Sequence, residues 1–181
     1  MKFVQPIRDS EKIQEVKDTL RKKSERNYMI FILGINTGLR VSDLVKLRVK
    51  DVKEREHIII TEKKTGKDKR ILITDVLKRE LKSYIQNKDD EEYLIKSTHG
   101  ENKPLSRYMV YYILRETAKK CGLREIGTHT LRKTFGYHFY KKEKNIAMLM
   151  DLFNHSSEKV TLRYIGINQD ILDRAMSNFK I

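Results

Sequence analysis

Five stretches of the chain hold side chains able to bind a phosphate or move a proton, each at a point where the backbone would display them. Thr37-Gly38-Leu39-Arg40 sets an arginine directly after a glycine turn, at the start of the helical pattern Val41-Ser42-Asp43-Leu44. His129-Thr130-Leu131-Arg132 spaces an imidazole and a guanidinium three residues apart, which on a helix is one face, so both could reach one ligand. Asn154-His155-Ser156-Ser157 joins two helical patterns. Asparagine accepts the left-handed backbone that often ends a helix, so Asn154 can turn the chain while His155 projects from the turn. Tyr164 comes next in Val160-Thr161-Leu162-Arg163-Tyr164-Ile165, and Lys63, Lys64, Lys67 and Lys69 crowd one basic segment. An arginine fork grips two phosphate oxygens at once, an imidazole exchanges protons near neutral pH, and a tyrosine hydroxyl is a nucleophile once its proton has somewhere to go. Taken singly, each has an ordinary alternative. An arginine can cap a turn or pair at the surface, a basic helix face can lie on solvent, and a tyrosine in such a run can be half-buried packing.

The elements that must carry these residues can be read from the periodicity. Asp9-Ser10 reads as a helix start, with Ile13, Val16 and Leu20 along one stripe of that helix. Tyr28 to Ile35 is apolar nearly all round and predicts a buried helix, ended by Thr37-Gly38, after which Arg40 opens a short helix. Asp43, in that short helix, is placed to orient Arg40 or its turn. Two β-rich runs, His57 to Thr61 and Arg70 to Ile73, flank the lysine-rich segment and predict a hairpin with a basic tip. Asp75 is expected to cap a helix reaching about Asn87, Tyr93-Leu94-Ile95 to form a third strand, and Ser106 to begin another helix. The remainder predicts short helices over His129 to Tyr140, Asn145 to Phe153, Ser157 to Ile165 and Gln169 to Phe179. The fold class expected is therefore mainly α with a small antiparallel β-sheet (α+β), in one domain spanning residues 1–181 and without internal repeats.

Composition narrows the partner. With 39 Lys and Arg against 25 Asp and Glu, the chain carries a formal charge of +14, which draws polyanions, nucleic acid above all, because each phosphate neutralised releases counterions. No stretch approaches the roughly 18 apolar residues of a membrane span, and the opening Met-Lys-Phe-Val-Gln-Pro has no signal-peptide core. The single cysteine, Cys121, excludes an internal disulfide and a multi-cysteine zinc site. It reads as a small residue at a helix end before Gly122, and a reducing cytoplasm suits it. No clustered carboxylates suggest two-metal catalysis.

Together the five stretches resemble the tyrosine recombinase family, which includes phage integrases, over about Tyr28 to Ile165. The resemblance lies in five elements in order: an arginine in a Thr-Gly-Leu-Arg turn, a lysine in a β-hairpin, His-x-Leu-Arg, His-Ser-Ser, and a tyrosine. It implies an active site of Arg40, Lys64, His129, Arg132, His155 and Tyr164. Lys64 best fits the family's place on the first arm of the hairpin turn, with Lys63 and Lys67 next. The implied activity is site-specific recombination: Tyr164 attacks a DNA phosphodiester, a 3′-phosphotyrosyl intermediate forms, and strand exchange and religation complete the reaction. Double-stranded DNA is the implied partner, with homo-oligomers assembling on it, and neither membrane, metal nor small-molecule cofactor is implied. The family's C-terminal helix commonly docks on a neighbouring protomer, and the apolar pattern Ile171, Leu172, Ala175, Met176 and Phe179 would suit that.

Two departures from the family stand out. Asn154 replaces the usual glycine before the second histidine, a mild change because both residues accept positive φ. One helix precedes the matched region, so the usual N-terminal core-binding domain is expected to be absent. Three other readings fit parts of the pattern: a type IB topoisomerase, a DNA-binding accessory or regulatory protein of the same fold that does not cut, and a metal-dependent nuclease built on His129 and His155.

Overall fold

The computed structural model describes residues 4–179. Helix α1 (Ser10–Lys23) starts where the Asp9 carboxylate accepts the Glu11 backbone N–H, and it buries Val16 and Leu20 on one face. Ser24 then caps α2 (Glu25–Thr37), which is buried from Asn27 to Gly34 as its all-round apolar sequence requires. The chain continues through α3 (Val41–Leu44), a 3-10 turn (Val49–Asp51), β1 (His57–Thr61), β2 (Asp68–Leu72), α4 (Asp75–Ile85) and α5 (Arg107–Lys120). Four more helices complete it: α6 (Thr130–Glu143), α7 (Ile146–Phe153), α8 (Glu158–Ile165) and α9 (Ile167–Ser177). The side-chain oxygens of Thr74, Ser106, Asn145 and Ser157 cap α4, α5, α7 and α8 in turn. This is the expected mainly helical architecture with one small antiparallel sheet.

Two apolar clusters fill the interior. The larger gathers Leu20, Phe31, Leu44, Ile58, Leu77, Val110 and their neighbours around α2, on which α1, α4 and α6 pack. The smaller holds Tyr137, Leu149, Phe153, Ile165 and Ile167. Helix α6 belongs to both, since Leu131 lies in the first and Tyr137 in the second, and Arg132 falls at the seam. Close approach on the second side depends on Gly136, where a Cβ would come within 2.8 Å of Phe153 and 2.7 Å of Ile165. Among the described residues no helix is long and apolar enough to cross a membrane.

In the hairpin, His57 faces Leu72, Ile59 faces Arg70 and Thr61 faces Asp68. Ile58 and Ile71 point into the core while Ile59 and Leu72 face outward. Strand β2 begins two residues earlier than its apolar run suggests, because Asp68 and Lys69 complete the ladder. The expected third strand is instead a single bridge from Tyr93 to Arg48. The N–H of Leu94 donates to the Leu47 carbonyl, so this segment is sewn to the residues after α3 and never reaches the hairpin. Helix α4 is capped by Thr74, with Asp75 its first residue, and ends at Ile85.

Candidate active site

The turn that carries Arg40 is built by its predecessors. The Thr37 hydroxyl donates to the Leu33 carbonyl and its oxygen accepts the Leu39 N–H, tightening the end of α2. Gly38 then turns the chain at φ 62°, where any side chain would be strained and a Cβ would strike Phe135 at 2.5 Å. Arg40 stands at the N-terminal end of α3, as expected. Its turn is tied to α6, for Arg132 Nη1 donates to the Gly38 carbonyl at 2.6 Å and Nη2 donates to the Phe153 carbonyl at 2.9 Å. The Arg132 guanidinium lies 4.0 Å from the centre of the Phe153 ring.

Asn154 takes the left-handed conformation (φ 52°, ψ 45°) that its residue type allows, ends α7 and delivers His155. The His155 ring sits edge-on to Phe153 and Tyr164, with ring centres 5.4 and 5.3 Å away. His155 Nδ1 is 3.1 Å from the Thr161 hydroxyl, which spends its proton on the Ser157 carbonyl at 2.8 Å and so accepts from the imidazole. Tyr164, on α8, is half-buried against Phe153. Its hydroxyl lies 3.2 Å from His129 Nδ1, at the start of α6.

The hairpin supplies two residues that the motifs do not single out. Glu62 and Lys69 are buried between the hairpin and the helices, whereas Lys64 is exposed at the tip. Glu62 Oε1 lies 2.7 Å from Arg40 Nη1, an ion pair without hydrogen-bond alignment, and 3.3 Å from the Lys69 ammonium. Lys69 also donates to the Leu152 carbonyl. Asp43 does not bond to Arg40: one carboxylate oxygen accepts the Lys63 backbone N–H at 3.2 Å and the other has no hydrogen-bond partner. Asp43 therefore anchors the hairpin turn. The structure thus draws Arg40, His129, Arg132, His155 and Tyr164 together, with Lys64 exposed on the hairpin turn near enough for its charge to act on His129. Among the described residues no three His, Cys, Asp or Glu side chains converge as a metal site requires.

Burial first, and the concentrated positive charge second, set the protonation states. Burial, followed by the charges of Arg132, Arg40 and Lys69, pushes His155 down to about 4, although Glu62 pulls the other way. Shielding of its ring and the charges of Lys133, Arg132, Lys64 and Arg40 lower His129 below the usual imidazole range. Tyr164 is raised by burial, against the pull of Arg132 and Arg40. A neutral imidazole thus faces a protonated phenol, and in the tautomer with its proton on Nε2 His129 accepts the Tyr164 hydroxyl proton at Nδ1. Both imidazoles titrate lower in the folded protein than in the unfolded chain, where about 6.5 applies. As pH falls from about 6.5 toward about 4, the unfolded chain therefore binds protons that the folded protein refuses, so stability is lost as pH falls. The urea midpoint is expected to drop over that interval, and to drop less in His155→Gln. A midpoint that stays flat across it overturns this.

Comparison with known proteins gives the same outline. Residues 8–170 match the phage integrase family. The chain is 53% identical over 179 residues to a Bacillus subtilis (strain 168) protein named probable integrase/recombinase YoeC, covering 99% of this chain and 98% of that protein. It is 31% identical to tyrosine recombinase XerA of Pyrococcus furiosus, over 92% of this chain but 59% of that protein. The crystal structure of XerA recombinase superposes with a TM-score of 0.76 at 20% identity, covering 99% of this chain and 66% of that one. A lambda integrase tetramer bound to a Holliday junction superposes with a TM-score of 0.72 at 20% identity, over 91% and 49% of the two chains. The fold is the catalytic-domain fold of these enzymes.

Proposed function

The chain belongs to the phage integrase family of tyrosine recombinases, and from that premise we propose that it cuts and rejoins DNA strands with Tyr164 as the nucleophile. The observation that carries this reading is the Tyr164 hydroxyl hydrogen-bonded to a neutral His129, beside His155 and two buried or half-buried guanidinium groups. The phenol oxygen attacks phosphorus, the bond to the 5′ oxygen breaks, and the phosphate remains on Tyr164 as a 3′-phosphotyrosyl ester. His129 takes the phenol proton. Lys64 returns a proton to the leaving 5′ oxygen from the hairpin tip. Reversal by a 5′ hydroxyl from another strand gives recombination without ATP, since bond energy is kept in the ester.

Charge gathers on the non-bridging oxygens as the five-coordinate phosphorus forms, and Arg40 and Arg132 meet it with donors whose charge is permanent. Arg132 has the capacity, because two of its five N–H groups serve backbone carbonyls and three remain. With Thr161 holding Nδ1, His155 offers Nε2 to the phosphate, whose charge raises its pKa and completes the second N–H. Double-stranded DNA as partner fits the charge of +14 and the lambda integrase complex, and that tetramer supports assembly of several copies on one DNA. We propose that these residues form one catalytic domain.

Nicked duplexes from the flanks of its own genetic element, incubated with the protein in chelator, test this. A covalent adduct mapping to Tyr164 is the expected result. Its absence, with salt-sensitive DNA binding intact, favours a binding protein of the same fold that does not cut.

A further inference from the structure

Glu62 lies outside the catalytic set that the family resemblance implies, yet five segments of the site meet on its carboxylate. Oε1 faces Arg40 of the α2–α3 turn at 2.7 Å, Lys69 of β2 at 3.3 Å and Arg132 of α6 at 4.0 Å. Oε2 accepts from the Thr65 hydroxyl in the hairpin turn and from Asn154 Nδ2 in the α7–α8 turn, both at 2.9 Å. The side chain has no exposed surface.

An anion among the cations that must hold a phosphate has the wrong sign for affinity, since it lowers the positive potential that DNA meets. What it supplies is registration. Arg40 comes from one side of the molecule, Asn154 and the adjoining His155 from the other, and Glu62 is the group that both Arg40 and Asn154 touch. We propose that Glu62 is the positioning residue of this site, a built-in counter-anion that fixes Arg40 and the Asn154–His155 turn around the place of the phosphate while weakening ground-state binding. Its own ionisation is secure: burial raises its pKa, but Arg40, Asn154, Lys69 and Thr65 together bring it down to about 2. Replacement by glutamine is therefore a true loss of charge at neutral pH.

The rate part of this inference rests on the tyrosyl-transfer reading and the affinity part does not. In the full chain, Glu62→Gln and Glu62→Asp are compared with wild type for affinity toward duplex DNA at low salt and for single-turnover adduct formation on the nicked duplex. Glu62→Gln is expected to bind about tenfold tighter and to react on the order of 10²-fold more slowly. Glu62→Asp keeps the charge but draws it back, so it should bind like wild type and react about tenfold more slowly. A merely structural role lowers affinity and rate together and overturns the proposal, as does an unchanged rate in both variants. If Glu62→Gln does not fold, Glu62→Asp decides alone on the same terms. If wild type forms no adduct, tyrosyl transfer fails first, and Glu62→Gln binding no tighter than wild type then overturns the counter-anion role separately.

Discussion

Replacing Tyr164 by phenylalanine is expected to lower adduct formation by roughly 10⁴-fold or more while leaving DNA affinity within about twofold of wild type. The size of the effect comes from the atom removed. The phenol oxygen is the atom that bonds to phosphorus, so no weakened form of the reaction survives its loss. The ring that remains still packs edge-on to Phe153 and His155, with centres 5.8 and 5.3 Å away. The lost hydrogen bond ran to His129 at the exposed edge of the site, so the stability change is small, about 1 kcal/mol or less. Electrophoresis of the denatured adduct, with binding and urea unfolding measured on the same preparation, separates the three quantities. A Tyr164→Phe variant that cleaves within about tenfold of wild type would remove Tyr164 from the role of nucleophile. Tyr137 is a poor substitute, since it lies in the second apolar cluster against Arg8 and Asp170.

The helical frame of this site was legible because the sequence states it locally. Gly38 and Asn154 both take the positive φ expected of them, and both sit one or two residues before a side chain that the turn delivers. Capping residues Asp9, Ser106, Asn145 and Ser157 mark their helices as short polar side chains should. The third strand failed for a physical reason. Tyr93-Leu94-Ile95 has strand-like residues, but its partner is the segment after α3, and pairing at that distance in sequence leaves no local trace. Lys64 and Glu62 show the opposite case. The exposed lysines of the hairpin tip draw attention, yet the alternation that turns Ile58 inward on β1 also turns Glu62 inward, and Ile71 on β2 does the same for Lys69. A charged residue in an inward register is a signal that sequence alone contains. Reading charge as surface hides it.

Arg132 unites stability and chemistry in one side chain, and its substitution carries the second large effect. It is 2% exposed, and its two bonded nitrogens hold the carbonyls of Gly38 and Phe153 at 2.6 and 2.9 Å. Those carbonyls end the two helices that precede Arg40 and His155, so the guanidinium staples together the backbones that present them. In Arg132→Ala both carbonyls lose their partner inside a cavity, and Glu62 and Asp43 lose a neighbouring cation. A loss of about 3–5 kcal/mol is expected, a large share of the roughly 5–15 kcal/mol that holds a domain together. Arg132→Lys keeps the charge, but one ammonium on a flexible stem cannot reach both carbonyls in the geometry of the fork, so about 1–3 kcal/mol is lost. Urea midpoints should therefore rank alanine below lysine and lysine below wild type, with unchanged slope. Under conditions where Arg132→Lys is folded, adduct formation should still fall by about 10²–10³-fold, because the planar pair of donors to the phosphorane is gone. A lysine variant matching wild type in both midpoint and rate would show that the fork is needed for neither task. A normal midpoint with a depressed rate would assign Arg132 to the phosphate alone, and the staple between the two turns would then have to be sought in Glu62.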